Sequence, residues 1–280
     1  METKFSATLK VVSGETRPVC AILAAETGLS KQAVKDAMLK GAVCLHSKGA
    51  ARRCRRAVTV PRAGDILELH YDAELLARKP PPARCLEDRR QYSVWIKPAG
   101  LMAQGTRYGD HCSLQRMAEI AFQPRRPVHI VHRLDREAAG LMLLAHSKDA
   151  AGRLSRLFRE RLVRKTYRLE VRGNPGRENG SNGRIDLALD GKPALTTYQV
   201  AAYHPDTDTA VVEADIETGR YHQLRRHFDL IGHPVMGDPR YGRNNKNKTG
   251  LRLACVALEF DCPFDGQRLV FSVFHEDLLH

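Results

Sequence analysis

The sequence predicts an α+β protein, α/β in the broad sense, with a mixed, largely antiparallel sheet and flanking helices, preceded by a small α+β domain. Strand-like segments outnumber helical ones, and several follow one another directly, as in antiparallel sheets. A proline-rich stretch divides a short N-terminal part from a longer one. The chain has 280 residues, 42% of them hydrophobic, so it can bury one large core or two unequal ones.

The domain boundary is predicted at a run of three prolines. Pro80, Pro81 and Pro82 cannot continue a helix or a sheet ladder and are typical of a stiff, extended spacer. We therefore expect a small domain over residues 1–75, a proline-rich linker over 76–90 and a larger domain over 91–280.

The small domain contains one well-defined helix, in "GLSKQAVKDAMLKGAV". Ser30 is a candidate N-cap, Gly41 ends the helix, and Val34, Ala37 and Met38 form its apolar stripe. A basic loop containing Arg52, Arg53, Arg55 and Arg56 follows, and then a strand in "ILELHY". Such a loop is most often only a solvated surface.

The larger domain mixes strands and helices. Strands are predicted in "YSVWIKP", "LMLLAH", "KTYRLEVRG", "LTTYQVAAYH", "TAVVEADIE", "RLACVALEF" and "LVFSVF". Ser147 is a candidate N-cap for a helix in "SKDAAGRLSRLFRERL", and "YHQLRRHFDLIG" has Leu224, Phe228 and Ile231 on one helical face. The stretches 173–184 and 242–250 are rich in turn-forming residues and are predicted as polar loops.

The net charge of +13 and pI near 9.6 indicate a polyanionic partner, either nucleic acid or an acidic membrane surface. Charge that serves only solubility is an equally good reading at this point. No segment has the roughly 18 consecutive apolar residues that a membrane span needs. The first residues lack the pattern of a secretory signal, so we expect a cytoplasmic protein, and we expect a monomer.

The seven cysteines predict no disulfide framework, because their number is odd and none form a CxxC pair. His111 and Cys112 are adjacent, but no second pair lies at metal-ligand spacing. We therefore expect reduced thiols and no metal site.

The segment "HRLDREAAG" is the first candidate for chemistry. Asp135 lies among His132, Arg133 and Arg136, and is either a neutralised surface charge or a reactive carboxylate. The order of residues differs from the kinase H-R-D-L loop, and the other kinase motifs are missing. Asp135 and Glu137 are expected to point apart, so no carboxylate pair is expected.

The segment "ETGRYHQLRRH" is the second candidate. Gly219 permits a tight turn, and Arg220 stands where a helix begins. Such a basic helix start suits phosphate oxygens. An amphipathic helix whose polar face is basic explains the segment alone equally well.

The segment "IKPAG" is the third candidate, and in isolation it predicts only a turn after a strand.

Taken in order, "IKPAGL", "HRLDREAAGLMLL", "KTYRLEVRG" and "TGRYHQLRRHFDLIGHPVMGDPRYG" resemble the RluA-type RNA pseudouridine synthases over residues 90–275. Residues 15–75 are similar to a small RNA-binding domain first described in a small-subunit ribosomal protein. The resemblance implies the pseudouridine synthase fold, with an RNA-binding domain in front of the catalytic domain.

The resemblance implies a role for particular residues. Asp135 would be the catalytic aspartate, Tyr167 would stack on the target uracil, and Arg220 would pair with Asp135. Arg133 would fill the gap left in the RNA by the displaced uridine, while His132 and Leu134 would shape the loop. Further RNA contacts are expected from Lys165, Gln223, Arg225, Arg52, Arg53 and Arg55. Departures from the family pattern include Ala254, Cys255 and Tyr221.

The implied reaction converts uridine in structured RNA to pseudouridine and requires no cofactor. Ribosomal RNA is favoured over transfer RNA because of the extra N-terminal domain. The alternative is a non-catalytic RNA-binding or ribosome-assembly factor on the same fold, although such a protein would have no need of Asp135. A nuclease is disfavoured because no carboxylate cluster for metal is evident.

Overall fold

A computed structural model describes residues 3–177 and 180–274. It divides into two compact units: the described residues up to Pro80 together with Gln104–Ala121, and Pro81–Ala103 together with the described residues from Phe122 onward. Residues 104–121, which the sequence assigns to the larger domain, thus pack with the N-terminal unit. Glu178 and Asn179, in the polar loop expected at 173–184, lie outside the described residues.

The first unit is a four-stranded antiparallel sheet with helices. In chain order its elements are β1 (Lys4–Lys10), α1 (Val19–Thr27), α2 (Lys31–Leu39), β2 (Val43–Ser47), β3 (Ala50–Arg53), β4 (Ile66–Asp72), α3 (Ala73–Ala77) and, from the later segment, α4 (Leu114–Ala121). The strands are ordered β1-β4-β2-β3. Val34, Ala37 and Met38 of α2 are fully buried in the core of this unit.

Helix α2 forms as its sequence predicts. The Ser30 hydroxyl accepts a hydrogen bond from the Ala33 amide at 3.1 Å, which satisfies one of the free donors of the first turn. Gly41 follows the helix with φ of +81°, a conformation that costs glycine little. The predicted cap, apolar stripe and end of this helix are confirmed.

The second unit is built on one large mixed sheet. Its elements are β5 (Arg84–Asp88), β6 (Tyr92–Lys97), β7 (His129–Ile130), β8 (Ala139–Ala145), α5 (Lys148–Arg159), β9 (Arg164–Arg172), β10 (Asn182–Asp186), β11 (Leu195–His204), β12 (Thr209–Ile216), α6 (Gln223–Leu230), β13 (Leu253–Asp261) and β14 (Arg268–Ser272). The main path is β10-β11-β12-β9-β13-β8-β6-β5, with β14 on β13 and β7 on β8. Among the described strand pairs only β8 and β13 run parallel, which confirms the predicted mixed, largely antiparallel sheet.

The centre of the sheet carries the segments that the resemblance singles out. Strands β6 and β8 are buried along their whole length, as their continuous apolar runs predict. Gly140 pairs with Cys255 where β8 meets β13, and a Cβ atom on Gly140 would lie 2.2 Å from the Cys255 carbonyl oxygen. On the other side of β13, Cys255 is the register partner of Tyr167 in β9. The loop before β8, which contains Asp135, is therefore brought close to Tyr167.

Two sequence expectations differ from the structure. The basic segment is not one loop, because Arg52 and Arg53 belong to β3, where they pair with β2. Strand β5 occupies Arg84–Asp88, inside the interval expected to be linker, and pairs with β6. A short strand next to prolines gave no alternating pattern strong enough to identify it.

All seven cysteines are free, five of them buried and two half-buried. Within residues 3–177 and 180–274, no helix has the length and apolar character needed to cross a membrane.

Candidate active site

Asp135 lies in the loop that precedes β8, and its side chain is 24% exposed. Its Oδ2 accepts a hydrogen bond from Nη1 of Arg225 at 3.1 Å. The arginine expected in this place was Arg220, and that expectation is wrong. Nε of Arg220 instead donates to the Pro193 carbonyl at 3.0 Å. Arg225 lies in the first turn of α6, whereas Arg220 precedes the helix, and this difference decides which guanidinium reaches the carboxylate.

Asp238 fixes the position of the Arg225 guanidinium. Nε and Nη2 of Arg225 donate to the two carboxylate oxygens of Asp238 at 2.7 and 2.8 Å, and both side chains are 1% exposed. Burial opposes charge on Arg225, but hydrogen bonds to Asp238 and Asp135 outweigh it and raise the pKa of Arg225 above its usual value. This bidentate pair leaves Nη1 directed at Asp135.

His222 is a third member of this group, and the sequence gave it no role. Its Nε2 lies 3.2 Å from Nη1 of Arg225 and 3.7 Å from Oδ1 of Asp135. Because Arg225 can only donate, Nε2 is the acceptor, and the proton on Nδ1 faces the Tyr241 hydroxyl at 3.1 Å. Burial, together with Arg225 and Arg240, lowers the pKa of His222 against the opposing effect of Asp135. The imidazole is thus held neutral beside the carboxylate.

Glu137 also contacts the arginine, with Oε2 3.6 Å from Nη1 of Arg225. The expectation that Asp135 and Glu137 point apart is therefore wrong, because both carboxylates reach the same guanidinium nitrogen, and residues two positions apart share a face even in an extended chain. Burial raises the pKa of Glu137, but backbone and arginine contacts, including Arg136 and Arg225, reverse this and lower it overall. A single buried guanidinium thus faces two carboxylates on one loop.

Tyr167 lies in the middle of β9 and is 8% exposed. Burial raises the pKa of its hydroxyl well above 10, and neighbouring Cys255 and the charge of Asp135 act in the same direction. The tyrosine is consequently neutral near Asp135. Cys255 faces it across the strand pair, and burial raises the pKa of that thiol to about 12, so it too is uncharged.

Lys97, of which the sequence said little, anchors the loop. The side chain is fully buried, and its Nζ donates to the carbonyl oxygens of Leu101, Pro98 and Arg136 at 2.8, 3.0 and 3.3 Å. The Gly100 amide also donates to the Arg136 carbonyl, at 2.7 Å. The "KPAG" turn therefore holds the backbone one residue after Asp135 with two hydrogen bonds.

His132 and Leu134 shape the loop from its other side. The Leu143 amide donates to Nε2 of His132 at 2.9 Å, and the imidazole stacks on Phe158 with 4.2 Å between ring centroids. Burial, with a smaller contribution from Lys165, lowers the pKa of His132 to about 3. Leu134 is 8% exposed. The Arg133 side chain, in contrast, is exposed beside the site.

Two residues expected to bind RNA are buried inside the protein. Gln223 is 3% exposed, and its amide bonds Thr218 and the Leu195 carbonyl at 2.7 and 2.9 Å. Arg225 is the partner of Asp135 described above. The expectation that these two contact RNA is wrong, because both side chains at the start of α6 are buried. Lys165 is half-buried, and burial lowers its pKa.

In the first unit, two of the three arginines expected to bind RNA are used internally. Arg53 donates to the carbonyl oxygens of Thr106 and Arg107 at 2.6 and 3.0 Å, and Arg55 donates to the Leu39 carbonyl at 2.9 Å and binds Asp110. The expectation for Arg53 and Arg55 is therefore wrong. Local sequence could not show this, because the Thr106 and Arg107 carbonyls and the Asp110 carboxylate lie 53 to 55 residues away. Arg52 is exposed, as expected for a phosphate contact.

Comparison with known proteins identifies the family. A model described as RNA pseudouridylate synthase matches residues 91–230. The dual-specificity RNA pseudouridine synthase RluA of Vibrio parahaemolyticus is 34% identical over 64% of this chain and 76% of its own length. An uncharacterized RNA pseudouridine synthase of Aquifex aeolicus is 31% identical over 94% of this chain and 91% of its own length. The chain belongs to the RluA-type RNA pseudouridine synthases. As a member, it is an enzyme that isomerises uridine to pseudouridine.

The solved structures agree with this RluA-type assignment. The human RNA pseudouridylate synthase domain containing 4 protein matches with a TM-score of 0.56 and 25% identity, over 68% of this chain and 87% of its own length. The predicted family and fold are confirmed for the catalytic part. The expected RNA-binding role of the N-terminal unit and the expected roles of Asp135, Tyr167, Arg133, Lys165 and Arg52 stay predictions.

Proposed function

We propose that this pseudouridine synthase uses Asp135 as its catalytic carboxylate, acting on a uridine in structured RNA. The observation that carries the proposal is the hydrogen bond from buried Arg225 to Asp135, with Arg225 itself clamped by Asp238. A partly exposed carboxylate held by a buried, charge-assisted bond is oriented before any substrate arrives. A surface aspartate neutralised by its neighbours would need no such support.

The isomerisation breaks the bond between N1 of uracil and C1′ of the ribose, rotates the base and joins C5 to C1′. The proton on C5 is lost and N1 gains one, so no net oxidation or hydrolysis occurs. Asp135 is positioned to act as nucleophile or as base, and Arg225 is placed to stabilise its charge through the reaction. In this proposal Arg225 takes the role that the resemblance implied for Arg220.

A uridine must leave its helix or stacked loop to reach Asp135, at a cost of a few kcal/mol. Stacking of a base on an aromatic side chain returns about 1–3 kcal/mol, and Tyr167 in β9 lies close enough to Asp135 for the charge of that carboxylate to raise its pKa further. Its neutral hydroxyl suits contact with an uncharged base. Exposed Arg133, two residues before Asp135, is available to occupy the vacated position in the RNA.

Ribosomal RNA is the proposed substrate class, with transfer RNA as the competing outcome. The support is the N-terminal unit, a separate compact body with exposed basic residues that include Arg52 and Arg56. We propose that this unit binds RNA phosphates, and that the enzyme works as a monomer in the cytoplasm. Mapping pseudouridines in ribosomal and transfer RNA from cells with and without the gene decides between the substrates.

Asp135→Asn tests the catalytic assignment. Tritium release from RNA labelled at C5 of uridine measures the loss of the C5 proton directly. The wild type is expected to release tritium and the variant to release none above background, while both bind RNA. Equal release by both proteins would show that another group does the chemistry. RNA binding without release by the wild type would instead favour the non-catalytic RNA-binding factor.

A further inference from the structure

Tyr221 presents an unusual aromatic surface next to the active site. The residue is 57% exposed, yet its ring stacks on His222 with centroids 3.7 Å apart and an interplanar angle of 21°. His222 in turn lies 3.7 Å from Asp135. One face of Tyr221 is therefore fixed by His222, while the side chain as a whole remains largely accessible to solvent.

The backbone at His222 supports this arrangement. His222 has φ of +52° and ψ of +34°, the left-handed conformation that residues with a Cβ seldom adopt, and it directly precedes α6. Such strain persists only where surrounding contacts enforce it, and it is concentrated at functional sites. Here the turn places the two consecutive rings of Tyr221 and His222 in parallel, which neighbouring side chains in a helix or strand do not achieve.

Arg240 completes the surface. Its Nη1 donates to the Tyr221 hydroxyl at 3.1 Å, and its guanidinium lies 5.8 Å from the ring centroid of Tyr221 and 5.5 Å from that of Tyr241. The Arg240 amide is held at 2.8 Å by Asp238, the same residue that clamps Arg225. The aromatic surface is thus tied to the active-site framework through Asp238.

A basic groove lies beside this surface. It has a volume of about 480 Å³ and is lined by Arg172, Arg240, Arg243, Tyr241 and the acidic Asp229, among others. Three arginines against one aspartate give the groove a positive charge. A positive groove next to a stacking aromatic ring is the combination that binds single-stranded nucleic acid, in which bases stack and phosphates follow the groove.

Resting on the proposed function, in which Asp135 acts on a uridine flipped out of RNA, we propose that Tyr221 is a stacking platform for the nucleobase next to that uridine. Arg240 fixes the platform, and the groove lined by Arg172 and Arg243 receives the phosphates that follow. Tyr221 is thereby a specificity-determining residue: it selects RNA whose nucleotide beside the target can unstack and lie on its ring.

Photocrosslinking tests the contact without requiring catalysis. The probe is a short oligouridylate that carries a single 5-iodouridine, which crosslinks to aromatic side chains stacked on it. Crosslinks located by mass spectrometry are expected at Tyr221 in the wild-type protein. The iodouridine is placed at each position of the oligouridylate in turn. If none of these probes crosslinks to Tyr221 while crosslinks form elsewhere on the protein, the proposal is overturned.

The affinity of the protein for the same oligouridylate measures how much stacking on Tyr221 contributes to binding. Removing an aromatic side chain on which one base stacks costs about 1–3 kcal/mol of binding free energy. Tyr221→Thr is therefore expected to weaken the affinity about 5- to 150-fold. Tyr221→Phe retains the ring and is expected to keep most of the affinity. Tyr203→Thr is the matched control, because Tyr203 near the end of β11 is also exposed, but its hydroxyl bonds Asp208 in the turn that follows. Equal losses for Tyr221→Thr and Tyr203→Thr would contradict the platform.

Steady-state kinetics on unmodified ribosomal RNA separate stacking from an effect on the carboxylate. Tyr221→Thr is expected to raise KM with little change in kcat. A fall in kcat at unchanged KM would mean that Tyr221 acts through His222 on Asp135 and not by stacking. If the wild type forms no pseudouridine in any RNA, the proposed function fails, while crosslinking and binding still decide whether Tyr221 stacks on a base.

Discussion

Asp238 binds Arg225 with both carboxylate oxygens, at 2.7 and 2.8 Å, and thereby leaves one guanidinium nitrogen to reach Asp135. Both members of the clamp are almost completely buried. A charge pair removed from water is costly to break, since the remaining ion has no alternative partner of equal strength. The position of the Arg225 guanidinium beside Asp135 thus depends on Asp238, a residue that is itself buried.

Asp238→Asn is expected to destabilise the protein by about 3–5 kcal/mol, because it leaves the Arg225 charge uncompensated in the interior. Urea denaturation measures this change. Asp190→Asn is the matched control, since Asp190 binds the adjacent Arg226 at 2.9 Å but is 69% exposed. That exposed pair should contribute at most about 1 kcal/mol. Equal effects of the two substitutions would show that the clamp is energetically unimportant.

Arg225→Lys is expected to lower the single-turnover rate of pseudouridine formation far more than Arg220→Lys does. Lysine cannot bind Asp238 with two parallel bonds and at the same time donate to Asp135. Loss of one preorganised hydrogen-bond donor typically costs about 10²–10³ in rate. Arg220 contacts a backbone carbonyl, which lysine can also reach. The reverse order of rates would restore Arg220 as the active-site partner.

Lys97 gives a pH-dependent contribution to stability. Burial lowers its pKa from 10.5 to about 7, against opposing effects of Asp135 and Glu137. Between about pH 7 and pH 10.5 the unfolded chain therefore holds a proton that the folded protein has released. The free energy of unfolding contributed by this group should rise with pH across that window, by up to roughly 1.4 kcal/mol per pH unit.

The comparison of wild type with Lys97→Met isolates this contribution. The difference in free energy of unfolding between the two proteins, from denaturation at several pH values in the window, should grow in favour of the wild type. A difference that stays constant across this window would mean that Lys97 remains charged in the folded protein.

Gly140→Ala is expected to destabilise the sheet by several kcal/mol or to prevent folding. The new Cβ would lie 2.2 Å from a backbone oxygen of β13, and φ is +120° at this position. Gly152→Ala serves as the control, since Gly152 lies within α5 and a Cβ there meets no atom within 4 Å. That substitution should stabilise the protein by about 0.5–1 kcal/mol in thermal or chemical denaturation. Similar effects at the two glycines would contradict the close approach of β8 and β13.

Arg52→Ala and Arg53→Ala separate RNA binding from structure in the first unit. Arg52 is exposed, so its loss should weaken binding to structured RNA and reduce the salt dependence of that binding, with little change in stability. Arg53 bonds the carbonyls of Thr106 and Arg107, so its loss should lower the free energy of unfolding. Unchanged RNA affinity in Arg52→Ala would count against the RNA-binding role of this unit. Deleting residues 1–80 is a poorer test, because Gln104–Ala121 packs with them.

Local sequence patterns predicted much of the fold. The N-caps of Ser30 and Ser147 accept the hydrogen bonds expected of them, at 3.1 and 3.0 Å. The buried strands β6 and β8 follow from their apolar runs. Helix α1 was missed because it starts after Pro18 with no side-chain cap and has no polar face to give a periodic pattern.

The partnerships inside the site could not be predicted in the same way. Asp135 and Arg225 are 90 residues apart, and the resemblance pointed to Arg220, because the sequence does not show where α6 begins and hence which arginine of the motif reaches the carboxylate. Lys97 resembled an ordinary turn residue because its three acceptors are carbonyl oxygens, which leave no mark in the sequence. His222 was missed because a left-handed backbone at a non-glycine residue is decided by tertiary contacts.

The parallel pairing of β8 with β13 has a consequence for how the enzyme is made. Residue 140 must find residue 255, so the strand that joins the Asp135 loop to the neighbourhood of Tyr167 leaves the ribosome long after both. Contacts between residues so distant in sequence also form slowly. A nascent chain that already contains Asp135, Tyr167 and Arg225 should therefore remain inactive until β13 has been synthesised and inserted between β8 and β9.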